Sequence, residues 1–156
     1  MFGNLDNKEI DDLIRSQMVV RIGCHADGIT YIIPISYAYE EPYFYCRVTK
    51  GQKLDMLRKN PEVCLQLDDT RNLSNWKSVI CWGRFEELKA DEDKQKAISL
   101  LSTRVLPILS SETMHLSPEW PFSGDPQNVP GILFRIKVDK RTGRFERTKA
   151  ENYFAS

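Results

Sequence analysis

The chain has 156 residues, enough for one domain with its own core, and its 41% hydrophobic and 28% charged content excludes a disordered or low-complexity chain. Its 22 basic and 22 acidic side chains cancel, so it lacks the basic excess of a general nucleic-acid binder. No apolar run approaches the roughly 20 residues needed to span a bilayer, and residues 1–6 have neither a basic nor an apolar stretch of a secretory signal, so no membrane partner and a cytoplasmic location are expected.

Asp6 is placed to cap a first helix over 6–17, with acids in its first turn and Ile10, Leu13 and Ile14 on its apolar face. Residues 18–24 read as a strand, and Ala26-Asp27-Gly28 as a hairpin turn. Thr30 to Tyr39 alternates, with Ile33, Ile35, Tyr37 and Tyr39 on one face and Ile32, Pro34, Ser36 and Ala38 on the other. Pro34 cannot donate to a ladder, so it predicts an edge or a bulge. Backbone near it is then open to something other than a strand, or the strand simply lies at an edge. Glu40-Glu41-Pro42 turns into an aromatic strand over 43–48.

Thr49 to Pro61 then carries the most informative pattern. Gly51 permits a turn, and Leu54 and Leu57 share one face of a short helix that ends before Pro61. Free N–H groups at a helix start carry partial positive charge, to which Lys50 and Lys53 add formal charge. That is a seat for a phosphate, or else a solvated basic turn. It is not the Gly-x4-Gly-Lys-Ser/Thr loop of nucleotide hydrolases.

Further along, 63–68 reads as a strand, 69–75 as a polar loop, and 76–88 as a long strand in which Gly83 predicts a bulge or bend. Residues 91–105 read as a helix, and 107–130 as a long irregular stretch with five prolines, Trp120 and Phe122. Ile132, Phe134, Ile136 and Val138 alternate in a last strand, and Thr142-Gly143 predicts a turn toward a short strand near Phe145. Six or seven strands and three short helices, with many hairpins, predict a mainly β domain over 1–156, a closed antiparallel barrel with peripheral helices.

The four cysteines, at 24, 46, 64 and 81, form no CxxC pair and lie in or beside apolar runs, which reads as buried reduced thiols. His25 and His115 stand far apart and give no zinc pattern; both read as solvated, His25 alternatively as a capping residue. Trp82 reads as core or dimer contact. Trp120 is either a lid over a ligand or an anchor of its loop. No paired acids and no nucleophile elbow mark hydrolytic chemistry.

Taken in order, several motifs resemble the pyridoxamine 5′-phosphate oxidase-like FMN-binding split barrels, and among these the nitroimidazole-resistance branch. They are the run Tyr31 to Tyr39, the aromatic strand 43–48, Gly51-Gln52-Lys53-Leu54, Asn60-Pro61, Trp76-Lys77-Ser78-Val79 with Gly83, and Thr142-Gly143-Arg144. The similarity covers about residues 5–147. It implies a six-stranded antiparallel split β-barrel with peripheral short helices that forms a homodimer and holds FMN at the subunit interface. It also implies that Pro34, Ile35, Ser36 and Tyr37 lie along the flavin ring, that Lys50, Gly51 and Lys53 hold the phosphate, and that Lys77, Ser78 and Val79 touch FMN near the interface. Many members of that branch carry a His after the two aromatics of the third strand, followed by Gly/Ser-Ala; here Cys46, Arg47 and Val48 stand there. Arg47 either adds charge for the phosphate or reshapes the pocket, so the resemblance by itself does not imply nitroimidazole reduction.

The expected function is that of an FMN-dependent oxidoreductase acting on a small molecule. Flavin carries the redox chemistry, so no side chain is named as catalytic. No G-x-G-x-x-G fingerprint for a dinucleotide donor is present. The alternatives are a non-catalytic flavin-binding or redox-sensing protein, and a flavin-free dimeric interaction module on the same fold.

Overall fold

The computed structural model describes residues 1–104 and 131–148. Eight strands and three helices follow one another there: β1 (Phe2–Asn4), α1 (Asn7–Ser16), β2 (Val19–Ala26), β3 (Ile29–Ser36), β4 (Ala38–Glu40), β5 (Tyr43–Val48), α2 (Gln52–Lys59), β6 (Glu62–Asn72), β7 (Asn75–Glu87), α3 (Asp91–Thr103) and β8 (Ile132–Glu146). Trp120 and His115 lie outside the described residues.

Local chemistry accounts for several boundaries. Asp6 accepts from the Glu9 N–H at 2.8 Å while the Glu9 carboxylate accepts from the Asp6 N–H at 3.3 Å, a reciprocal cap that starts α1. Asp27 and Gly28, with φ of 53° and 75°, form the two-residue turn of the β2–β3 hairpin, whose backbone twist suits the flanking strands. At Gly83 the β7–β8 register shifts, and a Cβ there would lie 2.3 Å from the Lys137 carbonyl oxygen. The expected bulge is therefore required by close approach of two backbones.

All eight strands join one antiparallel sheet in the order β3-β2-β6-β7-β8-β5-β4, with β1 on β8. Their inward residues form the core: Ile22, Ile33, Phe44, Leu65, Leu67, Phe134 and Ile136 are each at most 2% exposed. Burying each such side chain contributes about 1.5–3 kcal/mol. α1 lays Ile10, Leu13 and Ile14 on this core and α2 adds Leu54, Met56 and Leu57. α3 packs Ala97 and Ile98 on a smaller cluster with Tyr45, Leu88 and Leu133.

The strand count and closure differ from a closed six-stranded barrel. There are eight strands, and no ladder joins the two ends of the sheet, β3 and β4, which are consecutive in the chain. Pro34 gives one reason. Counting from the two-residue hairpin, Pro34 falls opposite Arg21 at a position that makes no ladder bonds to β2, so its missing N–H faces the free edge. The edge reading of β3 is thus borne out. The predicted single strand 30–39 breaks at Tyr37, which turns the chain from β3 into β4.

Two predicted turns are strand instead. Residues 69–72 continue β6 as a ribbon with β7, polar because its side chains face solvent. Thr142-Gly143 lies inside the fifteen-residue β8. Gly143 is there because Leu5 and Ile10 press on it: an added Cβ would meet the Leu5 Cβ at 2.8 Å. β1, which pairs with the end of β8, carries no sequence signal of its own.

Candidate functional site

The opening in the sheet defines the site. β4 pairs only with Tyr43, Phe44 and Tyr45, so on that side Cys46, Arg47 and Val48 of β5 have no strand partner. Across from them runs the free edge of β3, which approaches β5. By alternation from the hairpin, the backbone groups of Ile32 and Ser36 and the Pro34 carbonyl point out from this edge. Thr49 and Lys50 then lead from β5 into α2. The split is therefore bounded by two unpaired backbone edges with a helix start at its end.

That helix start is bare. Gly51 occupies the cap position and offers no side chain, so the N–H groups of the first turn have no side-chain acceptor. Lys50 is exposed and Lys53 half-buried, and neither makes an ion pair or hydrogen bond among the described residues. Arg47 is half-buried, its pKa lowered by burial, and its stem passes Gly131. Aligned helix dipoles and two lysines, against the single first-turn acid Asp55, leave this end of the split with an excess of positive charge.

The residues predicted for a ligand site divide into groups. Pro34, Ile35 and Ser36 line the β3 edge, while Lys50, Gly51 and Lys53 sit at the helix start, with Arg47 on the β5 edge. Cys46, though on that edge by its backbone, has a fully buried side chain, and burial pushes its thiol well above the usual range. The Tyr37 side chain is also fully buried: its hydroxyl donates to the Ile14 carbonyl and, at 2.9 Å, to the Gln17 carbonyl, fastening the end of α1. Burial raises its pKa to about 12, an effect eased by the nearby Arg104.

Lys77, Ser78 and Val79 are elsewhere. They lie on β7, three strands from β3 in the sheet, roughly 14 Å at ordinary strand spacing. Val79 is fully buried, Lys77 borders a separate cavity, and Ser78 accepts from Gln66 Nε2 at 3.3 Å on the outward face. That outward face carries an apolar row across four strands, Ile32, Gly23, Cys64 and Trp82, with Ile32 65% and Trp82 40% exposed.

Arg104 was missed from sequence. Its guanidinium lies 4.2 Å from the Tyr37 ring centroid and donates to the Tyr37 carbonyl, holding the β3–β4 crossing at the head of the split. Nothing local marks it; only the docking of α3 brings it there. Among the described residues, no cluster of three or more His, Cys, Asp or Glu could hold a metal, and no helix is long and apolar enough to cross a membrane.

Comparison with known proteins places this architecture. The chain is 31% identical over 152 residues to the uncharacterized protein RA0666 of Rhizobium meliloti (strain 1021), an alignment covering 90% of this chain and 92% of the relative. A FAD-binding protein of Mesorhizobium loti is similar in structure, with a TM-score of 0.72 and 28% identity over 93% of this chain and 98% of the other. A proposed 5-nitroimidazole antibiotic resistance protein of Bacteroides thetaiotaomicron shares the fold, with a TM-score of 0.71 and 20% identity over 93% and 87% of the two chains. The profile of the pyridoxamine 5′-phosphate oxidase family matches residues 6–144, nearly the whole described fold, and this chain belongs to that family.

Proposed function

We propose that this protein binds FMN in the split between β3 and β5 and acts, as a homodimer, as an FMN-dependent oxidoreductase on a small molecule. The observation that carries the reading is the start of α2: an uncapped helix end with Lys50 and Lys53 unpaired, opening on two free strand edges. The phosphate would sit on the first-turn N–H groups with Lys53 against it and Lys50 nearby, both as charge-assisted contacts. Arg47 adds charge on the β5 side. The ring would lie along the β3 edge, where the outward backbone groups of Ile32, Pro34 and Ser36 can meet its polar rim. Cys46 and Tyr37 would contribute backbone and packing, their side chains being buried.

The flavin, when bound, supplies the hydride or electron transfer; the protein binds and orients it and shields it from water. The similarity to a FAD-binding protein of Mesorhizobium loti, at 28% identity, supports a flavin in this chain as well. The homodimer is supported by the apolar outward row from Ile32 to Trp82, and by the place of Lys77, Ser78 and Val79 on β7, three strands from β3 and two from β5, with Ser78 on the outward face. In a dimer, those positions of the partner would complete the site.

An absorption spectrum of the purified protein, before and after incubation with FMN or FAD and desalting, tests the cofactor. Retained bands of oxidised flavin with FMN support the reading, and retention of FAD alone revises the cofactor. A folded protein that retains neither overturns it in favour of a flavin-free interaction module. Bleaching of the bound flavin by a reduced nicotinamide, with turnover on a small-molecule acceptor, separates an oxidoreductase from a flavin-binding protein that does not turn over.

A further inference from the structure

The short strand β4 meets both α1 and α3, and beside it a cavity of about 190 Å³ opens, lined by Arg15, Ala38, Tyr39, Leu100, Thr103 and Arg104. Two arginines from helices far apart in the chain come together there, and no carboxylate is among the lining residues. We propose that this cavity binds a small organic dicarboxylate through the Arg15 and Arg104 guanidinium groups. None of its lining residues belongs to the β3 edge, the β5 edge or the start of α2, so it shares no residue with the flavin split.

The two guanidinium groups are oriented without being neutralised. Arg104 lies 4.2 Å from the Tyr37 ring centroid and donates to the Tyr37 carbonyl, and Arg15 lies 6.0 Å from the Tyr39 ring centroid. Both rings pack on Phe44, with centroids 5.2 Å and 4.8 Å away, so the two cations stand on one aromatic cluster. A ring face attracts a cation but leaves its charge in place. Among the described residues neither Arg15 nor Arg104 has an ion pair, whereas Arg21, Arg58, Arg135, Arg141 and Arg147 each have one. Arg104 is half-buried, so solvent and salt screen its charge less than that of an exposed arginine. A planar guanidinium takes the two oxygens of a carboxylate in parallel bonds, and two such groups suit a ligand with two carboxylates.

Groups that would oppose an anion are largely engaged elsewhere. Asp11 accepts from Arg141, Asp12 faces Lys8 at 4.0 Å, and Glu40 pairs with Lys96 at 2.7 Å. Glu41 borders a different cavity, with Lys140 and Arg141. The C-terminal ends of α1 and α3 also face this region, with partial negative charge on their last carbonyls. Those carbonyls already meet donors: Leu13 accepts from the Gln17 N–H and the Ser16 hydroxyl, Ile14 from Tyr37, Ile98 from Ser102 and Leu100 from Thr103. Ala38, Leu100 and the Tyr39 ring supply an apolar wall that suits a methylene chain more than a bare inorganic anion. The volume lies below the roughly 300–1,000 Å³ of sites for drug-sized ligands, which suits a short acid.

The test is calorimetric titration of the full chain, at constant ionic strength, with glutarate, with monomethyl glutarate and with inorganic phosphate. The expected result is one saturable glutarate per chain, bound at least ~10-fold more tightly than the monoester and weakened at least ~10-fold in Arg15→Gln and in Arg104→Lys. Arg104 also holds the Tyr37 carbonyl, so its variant can loosen the fold. Arg15 makes no hydrogen bond among the described residues, and Arg15→Gln keeps the test independent of folding. Arg71→Gln, an exposed arginine on β6, should bind glutarate as the parent does. Equal affinity for diacid and monoester, unchanged binding in Arg15→Gln, equal loss in Arg71→Gln, or no saturable binding overturns the proposal. Binding of phosphate without glutarate overturns the assignment to an organic acid. Competition by saturating FMN would make the cavity part of the flavin site and also overturn it. The flavin reading stands or falls separately, on the absorption spectrum.

Discussion

At the C-terminal end of α2, Arg58 donates to Glu87, Lys59 pairs with Asp27 at 2.6 Å, and Asn60 Nδ2 donates to the His25 carbonyl at 2.8 Å. At the N-terminal end, Gly51 gives the helix no side-chain cap, and among the described residues Lys50 and Lys53 pair with no carboxylate, the first-turn Asp55 included. Both ends carry two cations, yet one set ties the helix to β7 and to the β2–β3 hairpin while the other is left facing the split. The helix dipole sharpens the contrast. Cations at a C-terminus are favoured by the partial negative charge there, whereas cations at an N-terminus add to positive charge and raise the local field. The basic C-terminal end serves the fold, and the basic N-terminal end is in excess of what the fold requires. That excess is the physical content of the anion-site reading.

The comparison can be broken most sharply at Gly51. A Cβ there meets nothing within 4 Å, so Gly51→Asp should fold, and its carboxylate should cap α2 for a gain of a few tenths of a kcal/mol in stability. The same carboxylate would stand where the phosphate belongs. FMN affinity, measured by flavin fluorescence quenching, should fall by several kcal/mol, on the scale of like charges placed together. A variant that is stabilised yet binds flavin as the parent does would remove the helix start from the site. Lys53→Ala should cost about 1–3 kcal/mol of FMN affinity for a charge-assisted contact, with little change in melting temperature. Lys59→Ala, at the paired end, should leave FMN affinity unchanged.

Tyr37 sharpens the same distinction from the side of stability. Tyr37→Phe should cost about 1–3 kcal/mol in urea unfolding, because the carbonyls of Ile14 in α1 and of Gln17 just after it lose their donor, while FMN affinity stays the same. A loss of affinity without loss of stability would restore its side chain to the ligand site. The pH dependence has a definite sign. The folded-state pKa of Tyr37 is raised from 10 to about 12 by burial, so the unfolded chain releases its proton first. Stability should hold below about pH 10 and fall as pH rises toward 12. Tyr39, also raised to about 12 by burial, adds to this, so Tyr37→Phe should flatten the fall without removing it. The smallest expected effect is in denaturant slope: none of the three variants at α2, nor Tyr37→Phe, should change it, since none alters the surface exposed on unfolding.

How much of this was legible beforehand can be judged residue by residue. Asp6 with Glu9 announced the start of α1 because a capping box closes within four residues. Pro34 announced a free edge because proline removes a donor wherever it stands. Gly83 announced a bulge, though the reason, the Lys137 carbonyl 2.3 Å from any Cβ, lies 54 residues away. Thr142-Gly143 misled: the pair has turn composition, but Gly143 is small to admit Leu5 and Ile10, a demand that no neighbour in sequence expresses. Tyr37 read as one of a row of flavin contacts, yet its side chain is directed into the core by the break between β3 and β4 and is fastened to the end of α1.

The sequence by itself determined the three helices, most of the strands from β2 to β8, the cap of α1, the Asp27-Gly28 turn and the basic start of α2, because the caps and turns rest on interactions within a few residues and the rest on a local apolar period. Only the tertiary structure decided that the sheet stays open between β3 and β4, that Arg104 clasps Tyr37 at the head of that opening, and that Lys77, Ser78 and Val79 stand three strands away from it. Those outcomes depend on which edges meet and which helix docks. They are set by contacts between segments far apart in the chain, whose energies no local pattern records.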